Sequence, residues 1–433
     1  MMCCRMAFWS GGAPLEIEQL APTIPKEAVA FFVLIPIYVR IQVEPKKFHS
    51  SKTRNTMPPP NNHQCPSTPI AQLRGHDDGP IHIIRFTSDG SYCITGGNDR
   101  TVRLWNPTRI DPAYRPPMST KLSSQEYYAR QYSQSHDGDD SSTQHHHLPS
   151  ALPMQTYSEG HVHPVHAIST NSSSTILLSS SDKTLIATNL VTAQTVQKWW
   201  GHTARIEYVA CLGGGGDSNN GEEIYASASY DATVRLWDAR SKSKEPLMIL
   251  DGAKDSVSCI SSGGKGTAQI ITSSVDGKIR TYDLRTGQII TEDISHPITS
   301  FDVSHDGMSI ATSCLDGIIR LFDKYNSLHR IDARKKVFQK FHSLHKCGNY
   351  KLECFFTSND EYVISGSECG AVVVYPVQES MEGGRVLRRH TAPTCSVTSC
   401  PQSSRPWLIA SASYDGSAIV WASQEEAHLC MEE

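Results

Sequence analysis

Several groupings in this sequence have residue types that could do chemistry. A histidine follows glycine at Gly75-His76, Gly160-His161 and Gly201-His202, and later stands in Ser295-His296 and Arg389-His390. Aspartates recur at Asp99, Asp231, Asp276, Asp316 and Asp415, and a positioned His–Asp pair is the usual make-up of a general base. Three consecutive histidines, His145, His146 and His147, offer loose metal ligation, yet no Cys or carboxylate at ligand spacing closes a site around them. SGGKGT at 262–267 resembles a phosphate loop, but Gly266 stands where Ser or Thr must follow the lysine, and strand residues follow where a helix is needed. A hairpin turn accounts for it, as a flexible hairpin tip accounts for GGGG at 213–216. The 13 cysteines form no CxxC, and only Cys3 and Cys4 are adjacent. Cys93, Cys259 and Cys314 sit inside apolar runs, where a thiol acts as a small hydrophobe. The pattern fits a reduced intracellular protein, not a disulfide framework or a zinc site. No G-x-S-x-G, H-E-x-x-H or paired-carboxylate motif is present. The chain reads as non-catalytic, with no cofactor and no metal.

The elements that must position these residues are unevenly distributed. Of 433 residues 38% are hydrophobic, and 40 Lys+Arg against 44 Asp+Glu give a net charge of −4. That balance lacks the attraction to phosphate backbones that drives non-specific nucleic-acid binding, so no direct nucleic-acid partner is expected. Residues 1–68 and 106–153 read as poorly structured. The run AVAFFVLIPIYV at 28–39 is shorter than the roughly 20 apolar residues of a membrane span. It also starts late and lacks the basic lead of a secretory signal. Residues 1–56 fit either a disordered leader or an extension upstream of a start at Met57. The segment 106–153 contains SQSHDGDDSSTQHHHLPS, too poor in apolar residues to bury a core. It reads as a polar insertion, and 423–433 as a polar tail.

Everything between is periodic. An aspartate followed by a β-branched run closing on an aromatic appears as DRTVRLW (99–105), DATVRLW (231–237), DGKIRTY (276–282), DGIIRLF (316–322) and DGSAIVW (415–421). Two weaker copies, DKTLIAT (182–188) and CGAVVVY (369–375), keep the register. Without residues 106–153, the seven copies repeat about every 45 residues. Each unit reads as four short strands separated by Gly, Asp and Ser turns, with Gly-His before and Trp-Asp after, as at Trp237-Asp238. This is the mark of WD40 propeller blades. The expected fold is all-β: a seven-bladed WD40 β-propeller over 69–422. After Trp421 too little chain remains for a fourth strand, so residues 69–73 should complete the last blade and remove two open sheet edges.

Within the WD40 pattern the repeated His and Asp are structural. The turn Asp accepts from the His and ties it toward the strand Trp, because an unsatisfied buried polar group costs about 1–3 kcal/mol. The expected members are His76, Asp99, Trp105, His202, Asp231, Trp237, Asp276, Asp316, His390, Asp415 and Trp421; Thr188, Asp251-Gly252 and Cys369 leave blades 2, 4 and 6 incomplete. Function is then left to surface. The residue before each turn Asp should face the top: Asn98, Ser181, Tyr230, Val275, Leu315, Glu368 and Tyr414. Tyr230 and Tyr414, both in SASYD, should flank the channel mouth as an aromatic interface centre.

The phrases FTSDGSYCITGGNDRTVRLWNP (86–107), DGKIRTYDLRTGQ (276–288), HPITSFDVSHDG (296–307) and LDGIIRLFDK (315–324), and above all NYKLECFF (349–356), resemble the mitogen-activated protein kinase organizer family, also called WD repeat domain-containing protein 83. The resemblance implies a monomeric scaffold of cytoplasm and nucleus that assembles kinase-cascade components and accompanies spliceosomal complexes. The N-terminal extension and the 106–153 insertion depart from the family. An alternative is a substrate receptor of a cullin-type ubiquitin ligase, prompted by Arg240 in WDAR and Arg285 in YDLR. An enzyme with a site in the central channel has no supporting motif.

Overall fold

In a computed structural model, residues 65–76, 79–109, 148–213, 223–263, 268–324, 337–342, 344–377, 384–402, 405 and 407–423 are described. They form seven sheets, six of four strands and one of five. The inner strands, in chain order, are Ile81–Phe86, Val165–Thr170, Ile206–Gly213, Val257–Ser262, Ile298–Val303, Cys354–Phe356 and Thr394–Ser399. They begin blades 1 to 7. Each second strand is rich in small residues, as in IASAS of Ile409–Ser413, because the next blade packs against it. A Cβ on Gly96 of blade 1 would lie 2.8 Å from Val165 of blade 2, and one on Gly366 of blade 6 only 2.0 Å from the Thr394 carbonyl of blade 7.

The ring closes as expected. Thr68–Leu73 pairs antiparallel with the third strand of blade 7, Ala418–Ala422. Cys65 is already buried beside Trp421 in the same apolar cluster. The stretch expected as a polar insertion, however, rejoins the ring before its end. Ser150–Ala151 adds a fifth, parallel strand to Thr68–Leu73, the Gln72 N–H donates to the Pro149 carbonyl at 2.8 Å, and Ala151 is fully buried. Pro153–Tyr157 then forms the outer strand of blade 1. Leu148, Ala151 and Tyr157 carry the apolar surface that draws this end of a polar segment inward. Residues 28–39, His145 to His147 and 424–433 lie outside the described residues. So does Lys265 of SGGKGT, but its flanks Val257–Ser262 and Gln269–Ser274 pair antiparallel, as in a hairpin.

In blades 1, 3 and 7 the repeated polar residues form relays with a fourth member, a hydroxyl. In blade 1, Trp105 Nε1–H donates to Thr95 Oγ1 (2.8 Å), Thr95 meets His76 Nε2 (2.7 Å), and His76 Nδ1 meets Asp99 (2.9 Å). Ser227 serves His202, Asp231 and Trp237 in the same way. Ser411 serves His390, Asp415 and Trp421. The Asp carboxylate can only accept, so each His donates to it from Nδ1, while the hydroxyl accepts the indole N–H and shares a hydrogen bond with Nε2. All three histidine side chains are 0% exposed with both ring nitrogens engaged, which leaves none of them placed to act as a base on a ligand.

The other blades substitute. Asp276 is held by Arg280 (2.6 Å) and Asp316 by Arg320, each four residues on along the third strand. His296 is half exposed and stands 3.7 Å from Asp316. In blade 6 the absent Asp is Cys369, and a histidine with no preceding glycine, His345, is buried with its Nδ1 near Ser365 (3.4 Å) while its backbone N–H donates to the Tyr375 hydroxyl (3.0 Å). In blade 2, His161 Nε2 meets Ser179 (3.0 Å), and Thr188 fills the Trp position.

One ion pair spans the closing seam. Arg85 of blade 1 reaches Glu353, just before blade 6, through two bonds of 2.7 and 2.8 Å. Between them Ser396 of the closing blade accepts from Arg85 (3.1 Å) and bonds Glu353. Both side chains are at most 10% exposed. Burial alone would lower the Arg85 pKa, but the Glu353 carboxylate more than offsets this and holds it above the usual arginine value. Cation–π contact with Phe355 (4.8 Å) covers the guanidinium.

Three expectations follow from this packing. Ala151→Asp should lower stability by about 3 kcal/mol or more in urea unfolding, since it buries an unpaired charge; an unchanged midpoint would mean that Ser150–Ala151 does not belong to blade 7. Glu353→Ala should cost about 3–5 kcal/mol by stranding Arg85, and the double change Arg85→Met with Glu353→Met should recover most of it. A double variant no better than the single would count against the pair as the source of the loss. Asp231→Asn should cost about 2 kcal/mol at neutral pH. Burial alone would raise the Asp231 carboxyl, but hydrogen bonds from Thr233 and His202 bring it from 3.8 down to about 2; Asp99, with His76 and Thr101, behaves alike. A depressed carboxylate stabilises fully above its unfolded pKa and loses that contribution as pH falls through the folded value. The gap between wild type and Asp231→Asn should therefore close between about pH 4 and pH 2, and a gap constant with pH would contradict the relay.

Candidate functional site at the channel mouth

Six of the seven inner strands share an irregularity at their second residue, where pairing skips one position: between Ile81 and Ile83, Val165 and Ala167, Ile206 and Tyr208, Val257 and Cys259, Ile298 and Ser300, and Thr394 and Ser396. A β-bulge re-aims the side chain it releases. The released residues are His82, His166, Glu207, Ser258, Thr299 and Cys395. Ser258 turns to its own blade, bonding Ser273 (2.8 Å), and Thr299 bonds both the Ser313 carbonyl of its own blade (3.1 Å) and the Leu352 carbonyl just before blade 6 (3.0 Å). The other four line a concavity of about 240 Å³, together with Arg205, Tyr230, Asn349, Tyr350, Lys351, Glu353 and Tyr414. Glu353 brings the Arg85 ion pair to its border.

Its electrostatics are ordered by depth. Glu207, with 7% of its side chain exposed, receives Arg205 Nε at 2.6 Å and Lys351 Nζ at 3.3 Å. Burial alone would raise its carboxyl; Lys351 and Arg205 outweigh that and lower it. The imidazoles of His82 and His166 lie 4.5 Å apart. Burial first, then Arg205 and other neighbouring charges, pushes His82 down to about 4 and His166 to about 3, so both are neutral at physiological pH.

Of the expected top-face residues, Tyr230 and Tyr414 both line this one pocket. Tyr230 is 45% exposed and lies under the Arg205 guanidinium at 4.9 Å. Tyr414 is half-buried, because its ring packs edge-on to His82 (5.7 Å) and against Tyr350 (5.5 Å). Asn98 is exposed; Val275 and Leu315 are half-buried. Ser181 is not on the face: it is 3% exposed and donates to the His163 carbonyl at 2.8 Å. The blade 2 turn pairs Ser181 directly with Thr184, one residue tighter than its counterparts, so Ser181 takes the buried place that Ser229 holds in blade 3. Glu368 also has an internal task. Its Oε1 accepts the N–H groups of Gly348 (2.7 Å), Asn349 (2.6 Å) and Tyr350 (3.0 Å), fixing the loop that delivers Tyr350 and Lys351. Arg240 and Arg285 are exposed beyond the far ends of their third strands, away from the mouth; Arg240 contacts Asp238 (3.4 Å).

The residues not anticipated are the bulge set and Asn349, Tyr350, Lys351 and Glu353, which the NYKLECFF segment brings to the mouth. Among the described residues no group of three or more His, Cys, Asp and Glu could hold a metal ion, and no helix is long and apolar enough to cross a membrane.

Comparison with known proteins matches this geometry. The family described as WD domain, G-beta repeat matches residues 67–106, 152–186, 193–238, 244–283, 287–323 and 384–422. The gap falls on most of blade 6, whose turn has Cys369 for Asp. The chain is 29% identical over 355 residues to WD repeat domain-containing protein 83 of Rattus norvegicus, covering 79% of this chain and 94% of the relative. It is 24% identical over 332 residues to the Dictyostelium discoideum homolog, covering 70% and 84%, and 28% identical over 316 residues to the Homo sapiens protein, covering 72% and 81%. With repeats matching over more than half of its length, the chain belongs to the WD-domain, G-beta repeat family and is similar within it to WD repeat domain-containing protein 83.

Proposed function

We propose that this protein is a non-catalytic scaffold that docks partner proteins on the channel mouth and so assembles complexes. The observation that carries the reading is that Tyr230, Tyr350 and Tyr414, from three different parts of the chain, surround a single pocket. Tyrosines supply large contact area at low entropic cost, and such clusters hold most of the energy of an interface. The resemblance to the kinase-organizer family supports kinase-cascade components or splicing factors as partners of a monomeric ring in cytoplasm and nucleus. The ubiquitin-ligase alternative rests on Arg240 and Arg285 at the opposite end, so the two readings use different surfaces.

Affinity purification of the tagged full chain, read by mass spectrometry, tests this directly. Tyr230→Ala should weaken capture of at least one kinase-cascade or splicing partner by about tenfold or more, as for an interface hot spot, with melting nearly unchanged. Tyr414→Ala should also weaken capture but cost some stability, because its ring packs on His82 and Tyr350. Full retention of every partner by Tyr230→Ala, with ligase adaptors lost from Arg240→Ala, would favour the alternative.

A further inference from the structure

The mouth is charged unevenly, and the unevenness says what it would hold. Four charged side chains line it, Arg205, Lys351, Glu207 and Glu353, and a fifth, Arg85, reaches it only through its bond to Glu353. Arg85 is neutralised by Glu353 through two short bonds. Glu207 is shared between Arg205 and Lys351, so one positive charge is left over. The carboxylates lie deep, with 7% of the Glu207 and 5% of the Glu353 side chain exposed, whereas Arg205 is 39% and Lys351 26% exposed. A ligand entering from solvent therefore meets the cations. The two imidazoles add no charge, because burial keeps them neutral. The Tyr230 ring under Arg205 fixes the guanidinium, and three tyrosines provide apolar faces around it.

We propose that the mouth receives the carboxylate of a Glu or Asp side chain from an acidic partner segment, seated between Arg205 and Lys351, with its uncharged neighbours on Tyr230, Tyr350 and Tyr414. This rests on the mouth being the docking surface. The single surplus charge matches one carboxylate better than a phosphate, which carries about −1.5 to −2. The arrangement also makes the idea separable from folding. Removing either Arg205 or Lys351 still leaves Glu207 one partner, so the pocket becomes neutral while its buried carboxylate stays paired.

The test uses the full chain, immobilised, and four pools of acetylated, amidated peptides that differ only at a central Glu, Gln, phosphoserine or Lys among randomised uncharged residues. The Glu pool should be retained about tenfold over the Gln pool, the worth of a charge-assisted hydrogen bond. Arg205→Gln and Lys351→Met should each reduce that preference to about twofold or less, with melting close to wild type, as expected when only a partly exposed charge is removed. Equal retention of the Glu and Gln pools, or preference for the phosphoserine or Lys pool, overturns the proposal. If Tyr230→Ala then lowers retention of all pools alike, only the acid selectivity is lost and the mouth remains the docking surface. If Tyr230→Ala changes no pool, the docking reading falls as well.

Discussion

Arg85 and Glu353 hold together two requirements that a closed ring sets against each other. Seven inner strands must converge on an axis, and the last blade must be completed by residues from the start of the chain. Arg85 leaves blade 1, crosses blade 7 and ends on Glu353 beside blade 6, so a single pair ties the blades on both sides of the closing blade. Through Glu353 the same pair borders the pocket. A buried ion pair is weak evidence for stability in itself, since apolar side chains of similar volume often serve as well. Its value here is positional: with Arg85 neutralised by Glu353, the surplus charge of the mouth belongs to Arg205 and Lys351.

The blades have a different economy. Each relay of Trp, hydroxyl, His and Asp joins the second and third strands of one blade to the loop before it, and satisfies groups that burial would otherwise leave unpaired. Blades 4 and 5 reach the same end with an arginine four residues past the aspartate. The lesson for function is negative. Residues that looked most like chemistry, a recurring His with a recurring Asp, are used for blade stability, and of the side chains lining the mouth only Tyr230 and Tyr414 come from a repeated phrase.

Much of this was legible in the sequence, because blade construction is periodic. The seven closing positions, the latch at residues 69–73 and the paired SASYD tyrosines could all be read from spacing and strand grammar. Three things could not. The relay hydroxyls Thr95, Ser227 and Ser411 sit among many Ser and Thr of the second strands, and only proximity to a His selects them. Ser181 went astray because a turn shortened by one residue leaves no mark in composition. The pocket set His82, His166, Glu207 and Cys395 depends on a bulge, which adds a residue to pairing without altering the alternation around it. NYKLECFF carried a resemblance but no role: its role required Glu353 to be seen against Arg85, 268 residues away.

The central claim is that partners bind at the mouth, over blades 1, 2, 3, 6 and 7. Site-specific photocrosslinking tests it most directly, with a photoreactive phenylalanine placed in turn at Tyr230, at Trp200 on the outer rim and at Arg240 on the opposite end. Adducts to partner proteins from position 230, and none from 200 or 240, are the expected result. Adducts confined to 240, with 230 silent, would contradict the account and move the working surface to the other end of the ring.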